Sequence, residues 1–336
     1  MKAWHIERFG DTDGLALRTE ADPLPGRGQI VMRVRANAMN ARDLNVLAGK
    51  YRVLPKTDVV PLSDGAGDVV AVGPGVSRIE VGDRVAATFM QGWLGGRIEA
   101  AHLRSDLGGS IDGMLTEYKL LDADGVVKVP AHLSDIEAAT LPCAAVTAWS
   151  ALTDIAPVGA GETVLTMGSG GVALFALQFA RLLGARVIAI TSSDARADRL
   201  RALGAHAVVN YRTHPDWEKP VLDLTHGRGV DRVVDVAGAD SVTHAMQCSA
   251  LGGHIVMVGR LGPGETIDPT LLRGKSLLIR TLTVGSRQQF EAMNRAIELH
   301  GLHPVVDETI AFDHAKAAYD RIRSRQHFGK VVIAHA

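Results

Sequence analysis

The placing of apolar positions changes once along this chain. Up to about residue 125 they come in short runs broken by glycine. Beyond Val129-Pro130, apolar strands alternate with segments of helical period. In the first part, residues 29–36 (QIVMRVRA) alternate apolar and polar and predict a half-buried strand. Residues 69–73, 84–87 and 116–121 predict further short strands, with turn material at 24–28, 73–75 and 81–83. Many short strands punctuated by glycine predict a compact, barrel-like β domain. The glycine-rich stretch 91–113 has no period and is long for a connection, which marks a functional or mobile loop.

In the second part, Ser134 and Glu137 form a capping-box pattern that starts a helix over 137–141, ending at Pro142, with another helix over 144–152. Strands are then predicted at 164–167, 186–191, 207–210, 231–236, 254–258 and 276–285. Helices fall at 172–183, stopped by Gly184, at 195–203, stopped by Gly204, and at 241–249, and a polar segment covers 215–228. This alternation predicts a doubly wound parallel sheet, in which ligands bind beyond the carboxyl ends of the strands. An amphipathic helix over 288–299 and a strand–helix–strand over 308–312, 315–325 and 330–334 close the chain. Six strands already fill the parallel sheet, so the last three elements are assigned to the first domain. The expected limits are 1–128 with 304–336 for the β domain and 129–303 for the α/β domain.

Gly168-Ser169-Gly170-Gly171-Val172-Ala173 stands between the strand at 164–167 and the helix that follows. This is a dinucleotide-binding fingerprint in its required strand–turn–helix setting. Gly168 permits the tight turn, Gly170 leaves the backbone open to a pyrophosphate, and Ala173 lets helix and strand pack closely. The free N–H groups of the new helix favour the phosphate charge. Thr191, Ser192 and Ser193 end the second strand with hydroxyls where an NAD site would place an acid, and Arg196 lies one helical turn further on. That balance favours NADP, with NAD remaining open.

Composition narrows the choice. The 336 residues are 46% hydrophobic and 22% charged, with a formal net charge of -1 and a pI near 6.9. No basic excess points to nucleic acid or to an anionic membrane. Cys143 and Cys248 are the two cysteines, too few for a disulfide framework or a cysteine-rich zinc site. The first residues lack an apolar signal core, and Gln178 and Arg181 interrupt the longest apolar helix. These features predict a cytoplasmic protein.

Together these segments resemble the medium-chain dehydrogenase/reductase superfamily, in particular its zinc-independent, quinone oxidoreductase-like and alcohol dehydrogenase-like members. The resemblance is carried by Asn37-Ala38-Met39-Asn40-Ala41-Arg42-Asp43, by Asp64-Gly65-Ala66-Gly67 continuing to Gly82-Asp83-Arg84-Val85, and by Leu141-Pro142-Cys143 through Trp149. The fingerprint, Leu203-Gly204-Ala205, Asn210-Tyr211 and Phe328-Gly329-Lys330-Val331-Val332 complete it. It implies a GroES-like β-barrel substrate domain, a Rossmann domain, NADP(H) as cofactor and a homodimer joined through the strand at 276–285. Where the family's zinc-dependent members carry zinc ligands and a nearby acid, this chain has Asn40, Ser63, Cys143 and Asp64. One thiol among these falls short of the three protein ligands of a catalytic zinc site, and no metal is expected. His300 and His303 read as an exposed helix end.

By family position, Asn40 and Tyr51 are the catalytic candidates, as donors to a developing oxyanion or as proton source. Arg42 would hold an anionic substrate or the cofactor phosphates, and Asn40 would also touch the cofactor. Asp43 reads as structural and Cys143 as a buried, inert thiol. Thr147, Ser169, Gly170, Gly171 and Val172 are further cofactor candidates. Thr191, Ser192, Arg196 and Tyr211 would surround the adenosine end. Ala237, Val258, Gly259 and Leu261 would line the middle, and Val284, Gly285, Ser286 and Lys330 the nicotinamide end. The resemblance implies hydride transfer to a small quinone, enone or related carbonyl compound. Two rivals stand beside it: a zinc-independent alcohol dehydrogenase, and an inactive NADPH-binding sensor or interaction protein.

Overall fold

The structure is a computed structural model that describes all residues except 52–54, 239–240 and 260–266. The chain divides into two compact units, residues 1–146 with 284–336, and residues 147–283. These limits differ from the expected 128 and 303. The reason is the helix Arg287–His300, which is tied to the first unit. Asn294 Nδ2 donates to Lys128 O, Arg287 N donates to Trp93 O, and Glu291 pairs with Arg78. An amphipathic pattern shows that a helix has a buried face but not which surface it covers.

In the first unit, a seven-stranded sheet runs in the order Val306–Ala311, Lys330–Ala334, Gln29–Ala38, Asp64–Val72, Arg84–Ala87, Val126–Lys128, with Tyr118–Asp122 also paired to Gln29–Ala38. A separate hairpin, Lys2–Ile6 with Leu15–Thr19, precedes it. Gln29–Ala38 is antiparallel to both of its neighbours on the main path, and Ala38 stands opposite Val332 on one side and Asp64 on the other. The chain therefore leaves this strand at Asn40 where Lys330 and Asp64 enter theirs. The helix Ala41–Leu47, which the sequence pattern did not predict, starts there.

The second unit is a six-stranded parallel sheet in the order Ala207–Asn210, Arg186–Thr191, Thr163–Met167, Val230–Asp235, Ser249–Met257, Leu278–Thr281. Thr163–Met167 is buried along its whole length, as expected of a strand covered on both faces. The order reverses between Thr163–Met167 and Val230–Asp235, which creates the crevice where doubly wound sheets bind ligands.

Three elements depart from expectation. Pro142 does not end a helix: it opens the π-turn Leu141–Ala145, which runs into the helix Val146–Thr153. Proline fits a first turn because its missing N–H would have no partner there. Pro220 likewise sits in the first turn of the helix Glu218–Leu224, inside the stretch read as polar connection. The sixth strand spans only Leu278–Thr281. Among the described residues no helix is long and apolar enough to cross a membrane.

Candidate functional site

In the second unit, strand Thr163–Met167 ends at Gly168, whose φ of +83° lies in the left-handed region that only glycine enters without strain. The helix Gly171–Leu182 follows, with Gly170 at its N-cap and no side chain capping its first turn. Ser169 is buried beside it. First-turn N–H donors without a side-chain acceptor suit an anion. Gly168 N donates to Ile190 O at 2.8 Å, which holds this turn against the neighbouring strand. That strand ends at Thr191, whose buried hydroxyl has no hydrogen-bond partner among the described residues. Arg196 reaches back to Ser192 Oγ at 3.4 Å, and Tyr211 N donates to Thr191 O.

The next two strand ends are gathered by Asp235, a fully buried carboxylate. Its Oδ1 accepts from Ala237 N, Gly238 N and Ser241 Oγ, while its carbonyl accepts from Val258 N and Gly259 N. Thus Ser169, Gly170, Gly171, Val172, Thr191, Ser192, Arg196, Ala237, Val258 and Gly259 lie along the carboxyl edge of four neighbouring strands. An orphaned hydroxyl and an uncapped helix start on that edge fit a nucleotide. Thr147 is buried in the same unit, and Leu261 falls outside the described residues.

In the first unit, Asn40, Arg42, Tyr51 and Lys330 come together with Asp43, Asp64, Asp106 and Cys143. Lys330 is buried, and its Nζ donates to Met39 O at 2.7 Å and Asn40 Oδ1 at 2.6 Å, with Asp64 Oδ2 at 3.6 Å. Asp64 Oδ1 accepts from Ser63 Oγ at 2.7 Å, and Cys143 N lies 3.4 Å from Oδ2. Asn40 caps the following helix, its N donating to Asp43 Oδ2 at 2.8 Å. Arg42 turns inward. Its Nη2 donates to Asp106 Oδ2 and its Nη1 to Leu107 O, both at 2.8 Å, with its guanidinium 4.5 Å from the Tyr51 ring centre and 4.9 Å from that of Phe89. Commitment to a buried carboxylate, a carbonyl and two rings assigns Arg42 to holding Tyr51 and the 91–113 loop in place. Val284 is buried, and Ser286 is taken up in capping the helix Arg287–His300.

Three buried acids, Asp43, Asp64 and Asp106, thus share two cations, Arg42 and Lys330. Burial outweighs the two cations at Asp43 and Asp64. Burial pushes Asp43 up to about 6 against the pull of Arg42, and burial raises Asp64 against the pull of Lys330. Burial, reinforced by Asp64, pushes the Cys143 thiol far above its usual range. Among the described residues no group of three or more His, Cys, Asp or Glu side chains is placed to hold a metal ion.

Two family models match the chain, the alcohol dehydrogenase GroES-like domain over residues 26–131 and the zinc-binding dehydrogenase model over residues 171–298. A zinc-type alcohol dehydrogenase-like protein of Schizosaccharomyces pombe is 39% identical, over 91% of this chain and 90% of its own length. The chain belongs to the medium-chain dehydrogenase/reductase superfamily. A quinone oxidoreductase of Lama guanicoe is 28% identical, over 99% of this chain and 97% of its own. A solved NAD-dependent alcohol dehydrogenase superposes with a TM-score of 0.90 at 34% identity, covering 99% of each chain. The chain is therefore an oxidoreductase of this superfamily, with a GroES-like domain and a Rossmann-type domain.

The site of this dehydrogenase/reductase also holds residues that sequence reasoning passed over. Asp106 lies in the unpatterned loop and is fully buried against Arg42 and Ser110. Asp235 carried one signal, an acid closing an apolar strand. Asn37 Nδ2 donates to Asp64 O and Met114 O, so it fixes the strand entry that carries Asp64.

Proposed function

We propose that this protein is a cytoplasmic, homodimeric NADP(H)-dependent reductase of a quinone, enone or related conjugated carbonyl compound that works without catalytic zinc. The observation that carries the reading is Lys330. Its ammonium stands among Asn40 Oδ1, Asp64 and the neighbouring Cys143, the residues that the family resemblance puts at the zinc position. The amide oxygen and the carboxylate are spent on that ammonium, and burial keeps the thiol protonated. Such a donor set does not fit a divalent metal, which needs deprotonated ligands. The zinc-binding dehydrogenase model matches residues 171–298, a range that contains neither Asp64 nor Cys143.

Without a metal Lewis acid, a plain alcohol or aldehyde is hard to activate, whereas a conjugated acceptor spreads the developing charge over its own framework. Ser169, Gly170, Gly171 and Val172 would hold the pyrophosphate, and Thr191, Ser192, Arg196 and Tyr211 the adenosine end. Ala237, Val258 and Gly259 would line the middle. The reduced nicotinamide supplies the hydride when bound. Asn40 donates to the substrate oxygen from its Nδ2, while Arg42 keeps Tyr51 in place. The Lama guanicoe quinone oxidoreductase supports this acceptor class. The NAD-dependent alcohol dehydrogenase neighbour favours a second reading, zinc-free alcohol oxidation. NADPH oxidation against a panel of quinones, enones and aldehydes decides between them. Turnover of quinones or enones is expected. Turnover confined to simple aldehydes and alcohols supports the second reading, and NADPH binding with no turnover sinks both.

A further inference from the structure

Lysine carries three donors and no acceptor, so the group it meets must be an oxygen. Lys330 Nζ lies 2.6 Å from the Asn40 side-chain oxygen, and this contact requires the amide to turn its oxygen toward the lysine. The lysine is itself immobile, since it is 3% exposed and its ammonium is also held by Met39 O. The opposite end of the amide, Nδ2, is buried, has no acceptor at full hydrogen-bond geometry among the described residues, and leans toward the Asp64 carboxylate, whose charge it favours. It carries two N–H groups, and the neighbouring Asp64 carboxylate can draw one of them at most. A buried donor left open costs free energy unless something accepts from it. We propose that Lys330 is a positioning residue, whose contact with Asn40 Oδ1 presents Asn40 Nδ2 as the donor to the carbonyl oxygen of the substrate. This assignment rests on the carbonyl-reduction reading above.

The register of the sheet explains why the pair is built here. Asn40 follows the strand Gln29–Ala38 by two residues, and Lys330 opens the antiparallel neighbour, so backbone pairing sets their separation before any side chain adjusts. Asp64 enters on the other side of the same strand and supplies the charge that keeps the ammonium buried. Asn40 lies in the two-residue connection between this strand and the helix Ala41–Leu47, so regular elements on both sides hold the amide, as a preorganised donor requires.

The test is a double-mutant cycle on the whole chain. Asn40→Ala should lower kcat about 100-fold, the loss typical of one oxyanion donor. Lys330→Met should lower kcat at least about tenfold, with KM and the NADPH dissociation constant within about twofold of wild type. In the Asn40→Ala background the same lysine change should have almost no further effect, because its action runs through the amide. Additive losses, or NADPH binding weakened more than about tenfold by Lys330→Met, overturn the proposal and make the lysine a cofactor or purely structural group. If the bare substitution does not fold, Lys330→Met with Asp64→Asn removes the stranded acid and serves in its place. A second readout needs no substrate. With asparagine selectively labelled, the Asn40 side-chain amide signal should move and broaden in Lys330→Met, and an unchanged signal contradicts the assignment. If wild-type enzyme turns over no carbonyl acceptor while this signal does move, the reductase reading fails but the amide contact stands.

Discussion

Removing the Asp106 carboxylate strikes the buried charge cluster at its far end. The Asp106 side chain is fully buried, its Arg42 partner is 9% exposed, and the pair is closed at 2.8 Å. Deleting one member of such a pair leaves the other charge uncompensated and costs about 3–5 kcal/mol. Asp43, 3.5 Å from the Arg42 guanidinium, takes up part of that charge and moves Asp106→Ala toward the lower end. A loss near 3 kcal/mol lowers the Tm of a unit this size by roughly 6–12 °C. Asp106→Asn keeps an acceptor for Arg42 and Ser110 and should lose about half as much. Calorimetry of both, beside Arg42→Met and the Arg42→Met/Asp106→Ala double variant, provides the check. The double variant buries neither charge and should be more stable than the two single losses added together. An Asp106→Ala Tm within about 2 °C of wild type, or strict additivity in the cycle, refutes the buried-pair argument.

Other consequences follow from the same geometry. Arg196→Ala should weaken NADPH binding about tenfold or more, the worth of one charge-assisted hydrogen bond, and leave NADH binding unchanged; equal loss for both coenzymes contradicts a phosphate contact. The Cys143 thiol, raised by burial and by Asp64, should resist alkylation in the native enzyme at mildly alkaline pH, and rapid carboxymethylation seen by peptide mass spectrometry would contradict its protonated state. Burial raises Asp43 from 3.8 to about 6, so the native chain binds more protons than the unfolded chain across that window. Stability therefore falls as pH rises through the window, and the cost is fully present above it. Asp43→Asn should accordingly gain Tm relative to wild type between about pH 4.5 and about pH 7, and a pH-independent difference would show that no charge is buried there.

The α/β unit was legible in the sequence because most of its strands contain a short apolar run and alternate with segments of helical period. Arg186–Thr191 and Ala207–Asn210 were placed to the residue, as was Lys330–Ala334 in the first unit. Proline misled at Pro142, where pattern reading takes a missing N–H as a helix end although a first turn has no use for it; the helix that holds Pro220 lies in a stretch whose polarity hid its period. The fingerprint at Gly168 was legible because its requirements are local to one turn. The charge cluster was not. Asn40 and Lys330 stand 290 positions apart and meet through strand register, which depends on which strands become neighbours. Asp106 reaches Arg42 from a loop without period, so nothing near it in sequence marks it as buried. In sequence Arg42 reads as a ligand-facing cation, but the buried carboxylate that turns it inward lies 64 positions away.

The central claim is that bound NADPH and this chain's own side chains suffice for the reaction. Metal content and turnover measured on one sample, before and after exhaustive chelation, address it most directly. No stoichiometric zinc and undiminished reduction of a quinone or enone are expected. One zinc per chain, with activity lost on chelation and restored by added zinc, would contradict it.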